Sequence, residues 1–517
     1  MSEPRFQLLE APWIPARRSD GTTTTLGLLS VFREAGQLQG LADEGPTRQV
    51  ALYRLLLAIL ARAMARAGIS VDEALEAGFP AQAVEDYLEH WREAFWLIHP
   101  DRPFLQTPFL ADDPVGKRLK SWTNLAPERA TGNNATLFDH SVDAAPEPIS
   151  LPLAARTLIG FLQFAPGGTV KAFRTSDNAA PLANTAAVLP LGRNLAETFL
   201  LAVHEPDPRD APSWEHPLPE RAALKRGDER TPEGECERYT WRSRSVLLAP
   251  ETDPDGEEWV RWIHFTEGQP MAADPQSPDP MAAHRIRNGQ PRRVSFESGR
   301  AIWRDLPALL PDPDRGSAQP PAVMDWAADR LLRSGQADLE GVHIPVFVGG
   351  LASNQSKPLR WRAESVTLPT KVLSVPGATQ SLRSQVEQAE TTGRRLSSIA
   401  WHSAFMMLPE TPYRKQKAKN LLQGLGVESA YYAGLEQALP RVLEHYAAGD
   451  LEQAEVTWAD AQCKALDRAW QQLAASLGPS VAAIRAVARN EGWLRALIRE
   501  LRAPLSDQSA RPEEASP

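Results

Sequence analysis

The sequence predicts an α+β protein, with a large mixed N-terminal domain of short sheets and helices and a C-terminal four-helix bundle. Up to about residue 375, short β-branched and aromatic segments alternate with turns marked by proline and glycine and with a few helical stretches. Beyond that point apolar residues recur at steps of three and four, as in Val456, Ala459, Cys463 and Leu466.

The change of pattern sets the expected domain boundaries. We expect a mixed α+β domain over residues 1–375, a helix bundle over 376–505 and a disordered polar tail over 506–517. Short turns with glycine or proline separate the helical segments, which favours antiparallel neighbours. The alternative is a set of helices that pack on the first domain without forming a bundle of their own.

Composition excludes several classes of protein. The chain has 517 residues, a formal net charge of −9 and two cysteines, Cys236 and Cys463. Two distant cysteines exclude a disulfide framework and do not supply a four-ligand zinc site, and their scarcity fits a reducing compartment. The most apolar stretch, Leu52–Gly68, is interrupted by arginines and is too short for a membrane span. With no signal-peptide pattern visible, a cytoplasmic protein without membrane contact is expected.

The first elements follow from punctuation and capping residues. The first 45 residues read as short strands and turns. Thr47 is predicted to cap a buried amphipathic helix that runs to about Arg66. Asp72 is predicted to cap a second helix that runs to about Leu97, with a break near Gly78.

The middle of the chain is rich in loops. Residues 205–238 are polar, charged and proline-rich, so we expect a surface excursion or a partly disordered loop rather than core. Strands are predicted in TWRSRSVLLAP, EWVRWIHFT and RRVSF, and a short helix over 326–334. Residues 346–362, VFVGGLASNQSKPLRWR, form a strand–loop–strand unit with a long polar tip.

Motifs for common catalytic chemistry are absent from the sequence. There is no P-loop, no dinucleotide fingerprint, no GxSxG and no HExxH. Asp139 and His140 form one adjacent acid–imidazole pair, without a second ligand group nearby. Such a pair is more often a hydrogen-bonded loop pair than a metal ligand, so a hydrolase is disfavoured.

Polar loops are more informative. Gly167 and Gly168 precede Lys171, and a glycine pair lets a flat or anionic group approach the backbone closely. The amides of Asn354 and Gln355 can donate and accept hydrogen bonds, which suits base edges. The plainer alternative for Gly167-Gly168, and for Gly349-Gly350 as well, is a tight turn. For Asn354 and Gln355 it is a solvated hairpin tip.

Two basic runs interrupt the acidic total. His284–Arg304 holds six arginines and one acid, and YRKQKAKN, residues 413–420, holds four basic residues and no acid. Such runs are usually solvated faces. Two such runs on an acidic chain favour a local basic surface that contacts successive phosphates of a nucleic-acid backbone.

A series of motifs, in order along nearly the whole chain, resembles the CasA family, the large subunits of the type I-E CRISPR surveillance complex Cascade. The motifs are APWIPARRSDG, HPDRPFLQT, TLFDHS, APGG, LGRNLAETFL, TWRSR and GGLASNQ, followed by the helix bundle. The resemblance implies a binding subunit without catalytic activity or cofactor. Its implied partners are crRNA, the other Cascade subunits, double-stranded target DNA and a recruited helicase–nuclease. The implied task is to recognise the protospacer-adjacent motif and to start strand separation.

The resemblance also implies which residues contact DNA at two loops. Gln355 with Asn354 matches the family's glutamine wedge, which splits the first base pair, and Lys357 lies at the same tip. Gly167 and Gly168 match the glycine loop that lies against the motif.

Three further positions carry over from the resemblance. Phe138, Asp139 and His140 match a loop tip near the crRNA handle that helps sense the motif. The family's minor-groove lysine has no counterpart, and Arg261 is the nearest cation. Some relatives carry a cysteine cluster ahead of TWRSR, of which only Cys236 is present, so no zinc is predicted.

Two other classes of function compete with this interpretation. A metal-dependent nuclease would centre on Asp139 and His140 and would lose turnover in His140→Ala. A protein-interaction scaffold would use the bundle as its interface, and Gln355→Ala would leave target binding intact.

Overall fold

The structure, a computed structural model, describes residues 3–127, 145–168, 170–274, 276–311, 316, 318–333, 343–354 and 357–509. The predicted fold class is confirmed: the protein is α+β, with small sheets and a helical C-terminal region. The chain divides into two compact units. Their ranges are Met1–Ser298 with Asp312–Arg330 and Ile344–Thr367 for the first, and Gly299–Pro311 with Leu331–His343 and Leu368–Pro517 for the second. The domain boundary at 375/376 stays a prediction.

The elements of the N-terminal 202 residues are short apart from two helices. In chain order they are β1 (Arg5–Gln7), β2 (Ile14–Arg18), β3 (Thr23–Leu26), α1 (Leu28–Arg33), β4 (Leu38–Leu41), α2 (Pro46–Ala67), α3 (Val71–Ala77), α4 (Ala81–His90), β5 (Trp96–Ile98), β6 (Leu119–Ser121), β7 (Ile149–Ser150), α5 (Leu151–Phe164), β8 (Ala186–Pro190) and α6 (Leu195–Ala202).

The remaining elements lead from short helices and strands into the long C-terminal helices. In chain order they are α7 (Arg221–Arg226), α8 (Glu235–Tyr239), β9 (Arg244–Thr252), β10 (Glu258–Glu267), β11 (His284–Arg287), β12 (Gln290–Arg293), α9 (Leu306–Leu309), β13 (Ala318–Gln319), α10 (Ala322–Arg333), β14 (His343–Asn354), β15 (Lys357–Pro369), α11 (Thr370–Ser374), α12 (Pro376–Met407), α13 (Arg414–Leu425), α14 (Val427–Ala448), α15 (Leu451–Leu477) and α16 (Val481–Ser509).

Small sheets organise the first unit. In the described residues the strand orders are β1-β5, β3-β2-β4, β12-β11-β13, β15-β14-β8 and β6-β10-β7, with β9 paired to β10. The pairs β1–β5, β9–β10, β8–β14 and β2–β3 are antiparallel, which suits hairpins and short connections. None of these sheets is large enough to form a core alone.

Helix α2 supplies the core that the sheets lack. Almost every residue from Val50 to Met64 is buried, and the buried set includes Arg54. Arg54 donates two hydrogen bonds to the Asp279 carboxylate, at 2.8 and 2.9 Å. A buried charge requires such a partner, so this pair joins α2 to the segment ahead of β11.

Both predicted helix caps are wrong by two residues. The N-cap of α2 is Gly45, not Thr47, because a proline at the first helical position already fixes the local φ. The cap of α3 is Ser70, not Asp72. Ser70 accepts a hydrogen bond from the Glu73 N–H, and the Glu73 carboxylate accepts one in return, which forms a capping box.

The helix predicted to reach Leu97 ends earlier. It breaks at Gly78 as expected, and α4 then ends at His90. A 3₁₀ turn follows, and β5 pairs with β1, where Arg5 lies opposite Ile98. Strand pairing with a distant segment therefore overrides the helical pattern.

The prediction of a surface excursion for residues 205–238 holds for 215–235, where Leu224 is the one buried residue, but both ends of the segment are packed in the first unit. Asp210, Trp214 and Cys236 are all buried. The Trp214 indole N–H donates to the Tyr87 hydroxyl at 2.8 Å, which ties the segment to α4. A few buried side chains thus hold a stretch whose average composition is polar.

The second unit contains the predicted bundle, formed in the described residues by the long helices α12, α14, α15 and α16, with the shorter α13 between the first two. Polar contacts fix the helix register: the Trp458 indole N–H donates to the Gln385 carbonyl at 2.9 Å, and the Tyr431 hydroxyl donates to Gln462 Oε1 at 3.1 Å. Among the described helices, none is long and apolar enough to span a bilayer.

Candidate nucleic-acid interface

Three of the predicted loops begin around one small cavity in the first unit. Its volume is about 10 Å³, room for a single water, and Pro127, Phe164 and Leu351 are among its lining residues. Pro127 is the last described residue before 128–144, Phe164 ends α5 ahead of the glycine pair, and Leu351 lies three residues before Asn354. The fold therefore brings described residues that precede three distant predicted loops to one place.

The glycine loop, residues 165–168, is exposed at Gly168, whereas Ala165 and Pro166 are buried. Gly168 has a φ of +75°, donates its N–H to the Asp177 carbonyl at 3.1 Å, and a Cβ added there would meet nothing within 4 Å. Gly167 packs more tightly, because its Cβ would lie 3.0 Å from the Ala179 nitrogen. Gly167 is thus needed for packing, while Gly168 leaves open space that a flat or anionic group can approach.

A buried ion pair holds this loop from behind. Asp177 and Arg244 have almost no exposed side-chain surface, and Arg244 Nη2 lies 2.7 Å from Asp177 Oδ2. The Arg244 guanidinium also donates to the carbonyls of Pro166 at 2.6 Å and Asn178 at 2.8 Å. Burial lowers the pKa of Arg244 to about 10, so the side chain stays charged at neutral pH. The pair fixes both ends of the glycine loop.

Glu267 holds the segment that follows the loop. Its buried carboxylate accepts hydrogen bonds from the backbone N–H groups of Ala172, Phe173 and Arg174 at 2.8, 2.8 and 2.9 Å. Burial acts to raise the pKa of Glu267, but these backbone hydrogen bonds outweigh it and the pKa is lowered. The carboxylate is therefore ionised at neutral pH. Sequence reasoning missed it, because more than 90 residues separate it from its partners.

The hairpin β14–β15 carries the third loop. Strand β14 pairs with β8, with Val346 opposite Pro190 and Gly350 opposite Ala186. Strand β14 ends at Asn354 and strand β15 begins at Lys357. Only the backbone of these two residues is described. Their assignments as DNA-contact residues stay predictions.

Several predicted site residues lie outside the described residues. These are Phe138, Asp139 and His140, which fall between the described residues Pro127 and Ala145, and Gln355, which falls between Asn354 and Lys357. Their roles stay predictions. The cavity described above is lined by described residues that precede them, such as Pro127 and Leu351.

Arg261 lies at a β-bulge in β10. Val260 is opposite Pro250 and Trp262 is opposite Ala249, so Arg261 is the extra residue of the strand. Its guanidinium donates to the Pro146 carbonyl at 2.7 Å and lies 3.4 Å from a Glu251 carboxylate oxygen. Arg261 therefore contacts the described chain just after residues 128–144. Its assignment as the minor-groove cation stays a prediction.

The first basic run does not form one surface. Arg300 and Arg304 both pair with Glu390 in the second unit, whereas Arg293, in the first unit, donates to the Pro181 carbonyl. Arg287, Arg292 and Arg293 are the exposed arginines of this run, and all three lie along the β11–β12 hairpin. In the second run, Lys415, Lys417 and Lys419 are exposed along α13. Most of the first run is therefore structural.

A separate cluster in the first unit could hold a metal ion. His204, Asp210 and Cys236 are buried, and one possible ligand atom of each lies within 4.8 Å of the others. Burial raises the pKa of the Cys236 thiol well above its usual value. Burial opposes ionisation of Asp210 as well, yet hydrogen bonds from His204 and from backbone N–H groups lower its pKa. Sequence spacing gave no signal for this cluster, because 26 residues separate Asp210 from Cys236.

The comparisons with known proteins agree with the sequence motifs. The family model for CRISPR-associated protein Cse1 (CRISPR_cse1) matches residues 7–476. A curated relative, the CRISPR-associated protein CasA/Cse1 of Thermus thermophilus, is 32% identical over 512 residues, which cover 96% of this chain and 98% of the relative.

Solved structures share the fold. CasA from Thermus thermophilus has a TM-score of 0.82 at 28% identity, covering 96% of this chain and 100% of that one. Cse1 from Acidimicrobium ferrooxidans has a TM-score of 0.74 at 22% identity, covering 97% and 99%. A chain of a CRISPR RNA-guided surveillance complex has a TM-score of 0.72 at 23% identity, covering 95% and 100%. The family match over nearly the whole chain shows that this protein belongs to the CasA/Cse1 family of CRISPR-associated proteins.

Proposed function

We propose that the chain is the non-catalytic large subunit of a type I-E CRISPR surveillance complex. It recognises the protospacer-adjacent motif in double-stranded DNA, starts strand separation and helps to recruit the helicase–nuclease. Its proposed partners are crRNA and the other subunits, and its proposed compartment is the cytoplasm. Membership of the CasA/Cse1 family and the likeness to a chain of a surveillance complex support this proposal.

The observation that carries the proposal is the common origin of three loops around one small cavity. Loops that start within a few residues of Pro127, Phe164 and Leu351 can act on the same short stretch of duplex. A minor groove about 6 Å wide admits loop tips and backbone better than a whole helix. The sequence alone gives no reason for three such distant loops to meet.

Each loop has a task that its chemistry suits. Gly168, with open space where a side chain would be, lets the backbone lie against the motif. Gln355 is uncharged and can enter the base stack while its amide bonds a displaced base. Unstacking one step costs a few kcal/mol, which protein contacts to the phosphates offset. Lys171, exposed beside the glycine loop, is suited to such a contact.

Electrostatics favours approach by local patches rather than by the whole surface. The formal net charge of −9 repels phosphates at long range. A subunit that attracts DNA weakly can still recognise a short motif. Most of the binding affinity of the complex then comes from base pairing between the guide RNA and the target strand. The chain then acts as a gate for binding.

The experiment compares target-duplex binding by the complex reconstituted with and without this chain. Each complex is offered DNA with an intact or a scrambled flanking motif at fixed salt, since affinity depends on salt. We expect a preference for the intact flank only when the chain is present, and a weaker preference in Gln355→Ala. A matched control is Gln290→Ala, which removes an exposed amide from the β11–β12 hairpin.

Other outcomes select the competing functions. Binding that ignores the flank, the chain and Gln355→Ala indicates a protein-interaction scaffold. Metal-dependent cleavage by the purified chain, abolished in His140→Ala, indicates a nuclease.

A further inference from the structure

Three buried side chains from separate segments meet beside helix α2. His204 follows α6, Asp210 lies in the proline-rich segment after it, and Cys236 is in α8. Their relative exposures are 6%, 3% and 1%. Asp210 Oδ2 lies 3.2 Å from His204 Nε2, which lies 3.5 Å from the Cys236 sulfur. An imidazole, a carboxylate and a thiol therefore converge on one point.

The separations fit the edges of a tetrahedral metal site. With metal–nitrogen and metal–oxygen bonds near 2.1 Å and a metal–sulfur bond near 2.3 Å, the nitrogen–oxygen edge is about 3.4 Å and the nitrogen–sulfur edge about 3.6 Å. The two observed separations, 3.2 and 3.5 Å, are both within about 0.2 Å of these edges. The 3.2 Å separation is also long for a charge-assisted hydrogen bond, which is usually about 2.7–2.9 Å.

Neighbouring backbone groups complete and orient the site. The Ala58 carbonyl oxygen of α2 lies 3.5 Å from the Cys236 sulfur. The N–H groups of Cys236 and Glu237 donate to the Asp210 carboxylate at 2.7 and 3.2 Å, which fixes its orientation. In the described part of the protein, His204 Nδ1 has no hydrogen-bond partner, and the ring packs against the rings of Tyr239 and Trp326.

We infer that His204, Asp210 and Cys236 form a structural site for a divalent transition metal of the zinc class. Imidazole and thiolate select such an ion over magnesium or calcium, which prefer oxygen ligands. On binding, the Cys236 sulfur gives its proton to solvent and bonds the metal as thiolate. The imidazole bonds through Nε2 with its own proton on Nδ1. No electron transfer takes place.

The site explains how residues 205–238 are ordered with little regular structure. Between His204 and Cys236 the described helices are the six residues of α7 and the start of α8. A metal that joins both ends to the core beside α2 stabilises such a segment, as in small loop-rich domains. The inference concerns the first unit alone and does not depend on the proposed function.

The test measures metal bound by the full chain, purified without a metal-affinity tag and kept reduced. After refolding with zinc and dialysis, we expect about one zinc ion per chain by mass spectrometry. Refolding with cobalt should give thiolate-to-cobalt absorption in the near ultraviolet. Cys463 is the matched control, because it is a buried cysteine in the bundle outside any described metal cluster.

The variants separate the site from accidental binding. Cys463→Ser should keep the zinc and the cobalt band, whereas Cys236→Ser and His204→Ala should lose both. Should those two variants fail to fold, the wild-type chain still decides the question. The inference is overturned if the wild-type chain shows neither bound zinc nor a thiolate–cobalt band. The cluster is then a hydrogen-bonded network in which Asp210 caps α8. Equal metal content in Cys236→Ser overturns it as well.

Discussion

Two glycine pairs in the first unit serve opposite purposes. Gly167-Gly168 forms an exposed loop in which Gly168 has a φ of +75° and open space around it. Gly349-Gly350 lies inside β14, where a Cβ on Gly350 would be 2.2 Å from the Thr185 carbonyl oxygen. The second pair is neither a turn nor a ligand loop. The same dipeptide therefore gives backbone access in one place and close strand packing in the other, depending on what lies beside it.

The largest effect is expected at the packed pair. Gly350→Ala places a methyl group against backbone that cannot rotate away, so the free energy of unfolding should fall by about 1–3 kcal/mol or more. The measurement is a denaturant titration of the full chain. Gly36→Ala is the control, because a Cβ there meets nothing within 4 Å and its φ is not positive. Equal stability of Gly350→Ala and wild type would contradict the packing account.

Loss of Glu267 should have the next largest effect. Glu267→Gln removes a charged acceptor of three backbone hydrogen bonds and should lower stability at pH 7 by about 1–3 kcal/mol. The pKa of Glu267 is lower in the folded chain than its ordinary value of 4.5, so the unfolded chain binds a proton more readily. The contribution is thus present above pH 4.5 and is lost as the pH falls through the folded pKa.

The difference between Glu267→Gln and wild type should therefore shrink on acidification. Denaturant titrations at pH 7 and at successively lower pH measure it, with the exposed Glu93→Gln as control. A gap that grows towards low pH would contradict the hydrogen-bonding account.

The exposed pair should show a binding effect larger than its stability effect. Gly168→Asn keeps a residue that tolerates positive φ, so unfolding should change by no more than about 1 kcal/mol. The side chain nevertheless fills the space where DNA is proposed to lie, and target affinity of the reconstituted complex should fall by about tenfold. Unchanged affinity with unchanged folding would move the DNA contact away from this loop.

Arg261 should show the smallest effect on stability. Its ion pair with Glu251 is partly exposed, so Arg261→Ala should change the unfolding free energy by less than about 0.5 kcal/mol. If Arg261 contacts a DNA phosphate, Arg261→Ala should also reduce the slope of log affinity against log salt concentration by about 1, which corresponds to one counterion. If the variant and wild type show the same dependence of affinity on salt, Arg261 does not contact DNA. Its role is then limited to the hydrogen bond with the Pro146 carbonyl.

Periodicity and punctuation predicted the parts of the fold that depend on local sequence. The long bundle helices, the buried α2 and the β9–β10 and β14–β15 strands were all accessible in this way. Helix caps failed by two residues, because Gly45 and Ser70 compete with equally plausible neighbours. The order in residues 205–238 was missed, since it depends on a few buried contacts that composition averages away.

The candidate site was predictable only in its exposed loops. Glycines and amides at loop tips are visible in the sequence. Two of their supports, Arg244 and Glu267, act across 66 to 95 residues and carry no local pattern. Nor did spacing show that three loops start around one cavity, because such a meeting is a property of the tertiary structure.

The most direct test of the central claim is strand opening at the first base pair beside the motif. A 2-aminopurine placed there reports unstacking by a rise in fluorescence when the reconstituted complex binds the duplex. We expect a rise with wild type and with Gln290→Ala, and a much smaller rise with Gln355→Ala or with a scrambled motif. An equal rise in all four cases would mean that this chain does not start strand separation.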